Sequence, residues 1–233
     1  MNILITGAGR GLGFQLTKLA VERGHHVVAC VRDGADASAG LLSLASEYGD
    51  QVHIERMNVT VEEEAARLAV KLKNDDVKLD SIINNAGILL GREHKLATLP
   101  MAYMKTTFEV NLYGPMNVIK HMGSLLADNS GAAIINISSE AGSVALSYGG
   151  DYPYAMSKNA LNMLTKMVGS EFQSRGIRVL AVHPGWIRTD MGGDKAPLSA
   201  DVSANGILDL LERKTRIAEE LYFVDHTGRS MPI

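Results

Sequence analysis

Tyr154 and Lys158 stand four residues apart in Tyr154-Ala155-Met156-Ser157-Lys158. On a helix that spacing puts both side chains on one face, so the ammonium can sit near the phenol. A cation there favours phenolate and pulls an ordinary pKa of about 10 toward neutrality. A group that passes a proton to or from a carbonyl oxygen needs that shift. Three tyrosines crowd this stretch, Tyr148, Tyr152 and Tyr154, and only Tyr154 has a lysine four residues on. Tyr152 is expected to line a cleft, and Tyr148 to do no more than pack or cap a loop.

Thr6-Gly7-Ala8-Gly9-Arg10-Gly11-Leu12-Gly13 follows a short apolar run and precedes an amphipathic stretch over 12–23. Glycines there let the backbone turn tightly and approach a pyrophosphate, whose charge the helix N-terminus stabilises. The second apolar run ends Val31-Arg32-Asp33. A guanidinium at Arg32 can pair with a 2′-phosphate, with Arg10 as a second cation, which favours NADP over NAD. Asp33 turned inward would keep NAD open, and Arg32 with Asp33 as a solvated surface pair is the other alternative. In Asn84-Asn85-Ala86-Gly87 the amides can tie strand ends together while Ala86 and Gly87 leave room for a nucleotide. Asn111 sits in a helical pattern that Asn disfavours, and is expected to anchor a water or the backbone near Lys158. Ser138-Ser139 follows an apolar run, so a hydroxyl emerges where it can donate to a carbonyl oxygen. The chain has no Gly-x-Ser-x-Gly elbow of a hydrolase, and His183, beside Pro184, is expected to be structural.

These residues must be held by regular elements. Apolar runs at 2–6, 26–31, 79–84, 132–138, 177–183 and 221–224 read as strands. Helical patterns lie over 12–23, from a capping box at Thr60 and Glu63 to about Lys73, and over 101–126, 153–175 and 200–213. The alternation predicts a parallel sheet covered on both faces, with ligands beyond the carboxyl ends of its strands. The glycine loop, Asn84-Asn85, Ser138-Ser139 and His183-Pro184-Gly185 all follow strands at that edge.

With 233 residues, 46% of them hydrophobic, and no linker or repeat, one domain over 1–233 is expected. A net charge of −3 gives no basic footprint for nucleic acid or membrane, and the single Cys30 gives neither a disulfide framework nor a metal pattern. With no signal-peptide pattern and no run of transmembrane length, the chain is expected to be soluble and cytoplasmic.

Together these motifs resemble the short-chain dehydrogenase/reductase family over nearly the whole chain. The resemblance implies an α/β, Rossmann-type doubly wound fold of three layers, with seven parallel strands in the order 3-2-1-4-5-6-7. It implies a catalytic tetrad of Asn111, Ser139, Tyr154 and Lys158. The cofactor would be held by Gly7, Gly9, Arg10, Gly11, Leu12, Gly13, Arg32, Asn58, Val59, Asn85, Ala86, Gly87, Pro184, Gly185, Ile187 and Thr189, together with Tyr154 and Lys158. The implied activity is NADPH-dependent reduction of a ketone or aldehyde. Ser139 would hold the carbonyl oxygen, Tyr154 would supply the proton, Lys158 would lower the tyrosine pKa and bind a ribose hydroxyl, and Asn111 would support a water relay.

The segment 183–193, with Lys195-Ala196-Pro197-Leu198 and the tail at 225–232, resembles the branch that holds bacterial C-factor proteins and sniffer-type carbonyl reductases. That branch implies an alternative, a signalling or partner-binding protein that keeps a nucleotide-loaded fold. An acyl-carrier-linked ketoreductase is a further alternative and would need an electropositive docking face. Two features depart from the family pattern. Asn58 stands where an Asp usually touches adenine, and the interval from Ser139 to Tyr154 is two residues longer, with Gly149-Gly150 read as the insertion. The added length leaves Ser138 and Ser139 both open for the hydroxyl role. A short segment near 190–200 is expected to cover the cleft, mobile through Gly192-Gly193, over an open site for small or varied carbonyl or alcohol substrates. Association through the long helices into a homodimer or homotetramer is implied as well.

Overall fold

The computed structural model describes residues 1–128 and 131–233. Its centre is a sheet of seven strands: β1 (Asn2–Thr6), β2 (His26–Val31), β3 (Val52–Arg56), β4 (Ser81–Asn84), β5 (Ala133–Ile137), β6 (Arg178–His183) and β7 (Phe223–Asp225). The order is β3-β2-β1-β4-β5-β6-β7, and every neighbouring pair is parallel. A parallel sheet is buried on both faces, so its inner strands read as unbroken apolar runs. Alternate side chains then serve opposite cores. Ile3 and Ile5 pack with α1 (Gly11–Glu22), α2 (Ala39–Tyr48) and α7 (Ala200–Leu211), while Leu4 packs with α3 (Glu62–Asn74), α5 (Gly114–Met122) and α6 (Tyr152–Phe172). The implied seven-stranded doubly wound fold and its strand order are present.

Three local expectations are corrected. The edge strand β3 is absent from the apolar pattern because His53, Glu55 and Arg56 leave it half polar. The capping box at Thr60 and Glu63 does not form. The Thr60 backbone N–H and hydroxyl both donate to Asn58 Oδ1, at 3.1 and 2.9 Å, and α3 starts one residue later from Val61 without a side-chain cap. Glu62, Glu63 and Glu64 in its first turn complement the helix dipole instead. The helix expected over 101–126 is divided. α4 (Met101–Phe108) passes into a π-helical turn at Glu109–Tyr113 before α5 begins. Pro115 has no N–H to donate to the carbonyl four residues back, which breaks the ladder at this point. Asn111 lies within the widened turn.

Loops after β1, β2, β4, β5 and β6 leave the sheet at one rim. Among the described residues no helix is long and apolar enough to cross a membrane.

Candidate active site

The rim is tied together by the Asn-Asn-Ala-Gly segment. Thr6 Oγ1 accepts from the backbone N–H groups of Asn85 and Ala86, both at 3.0 Å, and Asn85 Nδ2 donates to the carbonyls of Thr6 and Gly7 at 2.9 and 3.2 Å. The glycine loop is packed against this tie. A Cβ on Gly13 would lie 2.1 Å from the Gly7 carbonyl oxygen, and one on Gly9 1.8 Å from that of Asp36. α1 then starts at Gly11 with no side-chain cap, so its first N–H groups face the cleft unused by a cap. A diphosphate fits such a cradle, where close backbone approach and the helix dipole act together. Among the described residues there is no cluster suited to a metal ion.

The cleft holds about 510 Å³, and every cofactor-contacting residue expected from the sequence lines it, from Gly7 to Gly13 without Ala8, through Arg32, Asn58, Val59 and Asn85–Gly87, to Pro184, Gly185, Ile187 and Thr189. The two candidate phosphate readers are each engaged by an acid. Arg10 pairs with Asp190 at 2.6 Å, both exposed, and Arg32 meets Asp36 at 2.9 and 3.1 Å, with Asp33 farther away at 3.7 Å. Asp36 rather than Asp33 is therefore the principal partner of Arg32.

At the other end, Ser139, Tyr154 and Lys158 converge. Ser139 caps the turn after β5, where its Oγ accepts from Ala141 N–H at 3.2 Å, and it lines the cleft together with Tyr154. Ser138 points the other way, with its buried hydroxyl donating to Asn162 Oδ1 at 2.5 Å. The Ser138 hydroxyl is thus committed to Asn162, and that of Ser139 is the one whose influence reaches the Tyr154 phenol. The Lys158 ammonium, almost wholly buried in the cleft wall, donates to the Ile137 carbonyl at 2.7 Å and lies 5.6 Å from the Tyr154 ring centre.

The electrostatics differ from expectation. Burial pushes the Tyr154 phenol above its ordinary pKa, and the Ser139 hydroxyl and the Arg92 charge nearby only partly pull it back. Burial also brings Lys158 down to about 8. In this arrangement desolvation decides the direction for both groups, and the ammonium is turned to the Ile137 carbonyl.

Asn111 is fully buried behind the cleft and does not line it. Its Oδ1 accepts from Ile88 N–H at 2.8 Å, and its Nδ2 donates to the Ile88 carbonyl at 2.9 Å and to Ser157 Oγ at 3.0 Å. It clamps the chain just after Gly87, the backbone-anchoring half of what the sequence suggests. His183 has the structural part expected of it: its Nδ1 accepts from Glu140 N–H at 3.1 Å, and burial lowers its pKa.

The flanking tyrosines are reversed. Tyr148 lines the cleft and donates to Asp151 Oδ2 at 2.9 Å, whereas Tyr152 starts α6 and is not part of the wall. The reason is the turn at Gly150 and Asp151 ahead of α6, which brings Tyr148 and Asp151 into the wall. Trp186, within the 183–193 segment, also lines it, as do Arg92 and Asp151, which no periodicity or motif singles out. The covering segment is more tightly held than two glycines suggest. Trp186 Nε1 donates to the Gly192 carbonyl at 2.8 Å, and Arg188 Nη1 donates to the carbonyls of Ala196 and Pro197 at 3.0 and 2.8 Å.

A nucleotide cradle at the switch edge of a doubly wound sheet, with a Ser–Tyr–Lys group at its far end, defines an oxidoreductase of the short chain dehydrogenase class. The chain belongs to that family, whose sequence model matches residues 1–198. Among curated relatives, C-signal of Myxococcus xanthus is 34% identical over 155 residues, which are 66% of this chain and 92% of the relative. The carbonyl reductase Sniffer of D. melanogaster superposes with a TM-score of 0.91 at 28% identity, covering 100% of this chain and 99% of its own. The NADPH-bound carbonyl reductase from chicken fatty liver gives 0.89 at 31% identity, covering 100% and 98%.

Proposed function

We propose that the protein reduces a ketone or aldehyde to the alcohol with NADPH. The observation that carries this reading is that Ser139, Tyr154 and the buried Lys158 line one end of the cleft together, with the Lys158 ammonium 5.6 Å from the Tyr154 ring centre and the glycine loop at the other end. Bound there, NADPH supplies the hydride to the carbonyl carbon. Ser139 donates a hydrogen bond to the carbonyl oxygen as negative charge develops on it. Tyr154 passes its proton to that oxygen, so the substrate gains one hydride and one proton in all. The resulting phenolate is stabilised by the Lys158 ammonium on the same helix face. Asn111 holds Ile88, and so the cofactor-facing Gly87, in place. Arg10 and Arg32 would read a 2′-phosphate by exchanging Asp190 and Asp36 for it, and the NADPH-bound avian reductase supports that choice.

The test has two parts. Titration with NADPH and NADH is expected to show tighter NADPH binding, and a preference for NADH would sink the role given to Arg32. Tyr154→Phe is expected to keep nucleotide binding and lose turnover by a factor of about 10²–10⁴. Wild-type turnover in that variant would refute the proton-donor assignment. The likeness to C-signal favours a second reading, a signalling protein with a nucleotide-loaded fold. Nucleotide binding without reduction of any carbonyl would bring it forward.

A further inference from the structure

The longer interval before Tyr154 has a structural consequence. Gly150 takes φ +139°, and Asp151 follows at φ +45°, in the left-handed region where few residues other than glycine, asparagine and aspartate settle. This turn places Asp151 in the cleft wall three residues ahead of Tyr154 and leaves it only 9% exposed. Its two carboxylate oxygens differ. Oδ2 accepts from Tyr148, whereas Oδ1 is shielded from solvent and has no hydrogen-bond partner. The nearest cation, Arg92, keeps its Nε 3.5 Å away, and its Nη1 reaches the Met191 carbonyl at the same long distance. Arg92 is more than half exposed and lightly held, so it is a movable wall over an acceptor whose one partner is this long ion pair. A buried carboxylate oxygen with an ion pair but no hydrogen bond has room for a donor from a ligand or a water.

We propose that Asp151 and Arg92 form a subsite for a hydroxyl group of the substrate, which makes hydroxy ketones and hydroxy aldehydes the substrate class. The inference rests on the carbonyl-reductase reading above. A hydroxyl donates to Asp151 Oδ1 and accepts from the Arg92 guanidinium at once. A carboxylate in the same place would face the Asp151 charge, an ammonium would face Arg92, and a methyl would leave Oδ1 unpaired in a closed site. Asp151 and Tyr154 line the same cleft, and the Asp151 charge acts on the phenol, so the hydroxyl belongs on a carbon close to the carbonyl.

The experiment compares ketones of matched size, with NADPH present. Hydroxyacetone is set against 2-butanone, pyruvate and aminoacetone, and 4-hydroxy-2-butanone against 2-pentanone. In at least one isosteric pair the hydroxylated member is expected to exceed its partner by about tenfold or more in kcat/KM, the worth of one charge-assisted hydrogen bond. Pyruvate and aminoacetone are both expected to fall below hydroxyacetone. Asp151→Ala is expected to bring the pair ratio toward one, and Arg92→Leu to raise aminoacetone relative to hydroxyacetone. Trp186, the single tryptophan, lines the cleft, so its fluorescence reports ketone binding without turnover. Equal reduction within both pairs overturns the subsite and leaves the reductase reading intact. Hydroxyl-selective quenching that Asp151→Ala abolishes, without any reduction, supports the subsite and overturns the reductase reading. Neither reduction nor selective quenching overturns both. If Asp151→Ala does not fold, the wild-type ratios and Arg92→Leu still decide.

Discussion

Replacing Lys158 by methionine should make the cofactor-free protein more stable while removing its activity. The ammonium is enclosed by protein, and burial lowers its pKa from 10.5 to about 8. The unfolded chain holds this proton more tightly than the folded one. Stability therefore rises with pH between the two values and is lowest, for this group, below about 8. The displacement corresponds to about 3 kcal/mol at neutral pH and shrinks to about 1 kcal/mol near pH 9.5, where the folded-state amine is largely neutral. Methionine removes that cost and fills a similar volume, but forfeits the 2.7 Å hydrogen bond to the Ile137 carbonyl, worth about 1 kcal/mol. The net expectation is a gain of about 2 kcal/mol at pH 7, or about 4–8 °C in Tm for a chain of this length. Paired melts of wild type and variant across pH read the difference directly, because every other titrating group contributes equally to both. A variant no more stable at pH 7, or a difference that does not shrink with rising pH, would refute the reasoning.

Four further substitutions probe the site and its supports. Gly13→Ala places a Cβ against the Gly7 carbonyl, which as backbone cannot yield, so a loss of about 1–3 kcal/mol in urea unfolding and of measurable NADPH binding is expected. Asn111→Ala strands both backbone groups of Ile88 and should cost about 2–4 kcal/mol, read from the same unfolding curves. Ser138→Ala and Ser139→Ala should separate cleanly. The first loses about 1–3 kcal/mol of stability, because Asn162 is left with a buried unpaired oxygen, and the second keeps stability but loses turnover.

Much of this was legible because local chemistry is written locally. The glycines of the first loop and the unbroken apolar strands announce a nucleotide-binding parallel sheet, since only such residues tolerate close backbone approach and burial on two faces. The four-residue step from Tyr154 to Lys158 places both on one helix face wherever that helix lies. β3 was not legible, because an edge strand needs only one apolar side and its polar residues blur the pattern. The false capping box at Thr60 shows the converse failure: the spacing was right, but Asn58 competed successfully for the hydroxyl.

What the sequence by itself determined is the sheet, its order through the family resemblance, and the list of residues that meet at its carboxyl edge. Tertiary structure alone decided how those residues behave toward one another. It chose Ser139 over Ser138, because only one of two adjacent hydroxyls on a strand end can face the cleft while the other turns to Asn162. It put Asn111 in a π-turn behind the wall, and Tyr148 rather than Tyr152 in the wall itself. It also raised the Tyr154 pKa that local charge alone would have lowered. The physical reason is common to all four: orientation and desolvation depend on what packs around a group, and those neighbours come from elements far away in the chain.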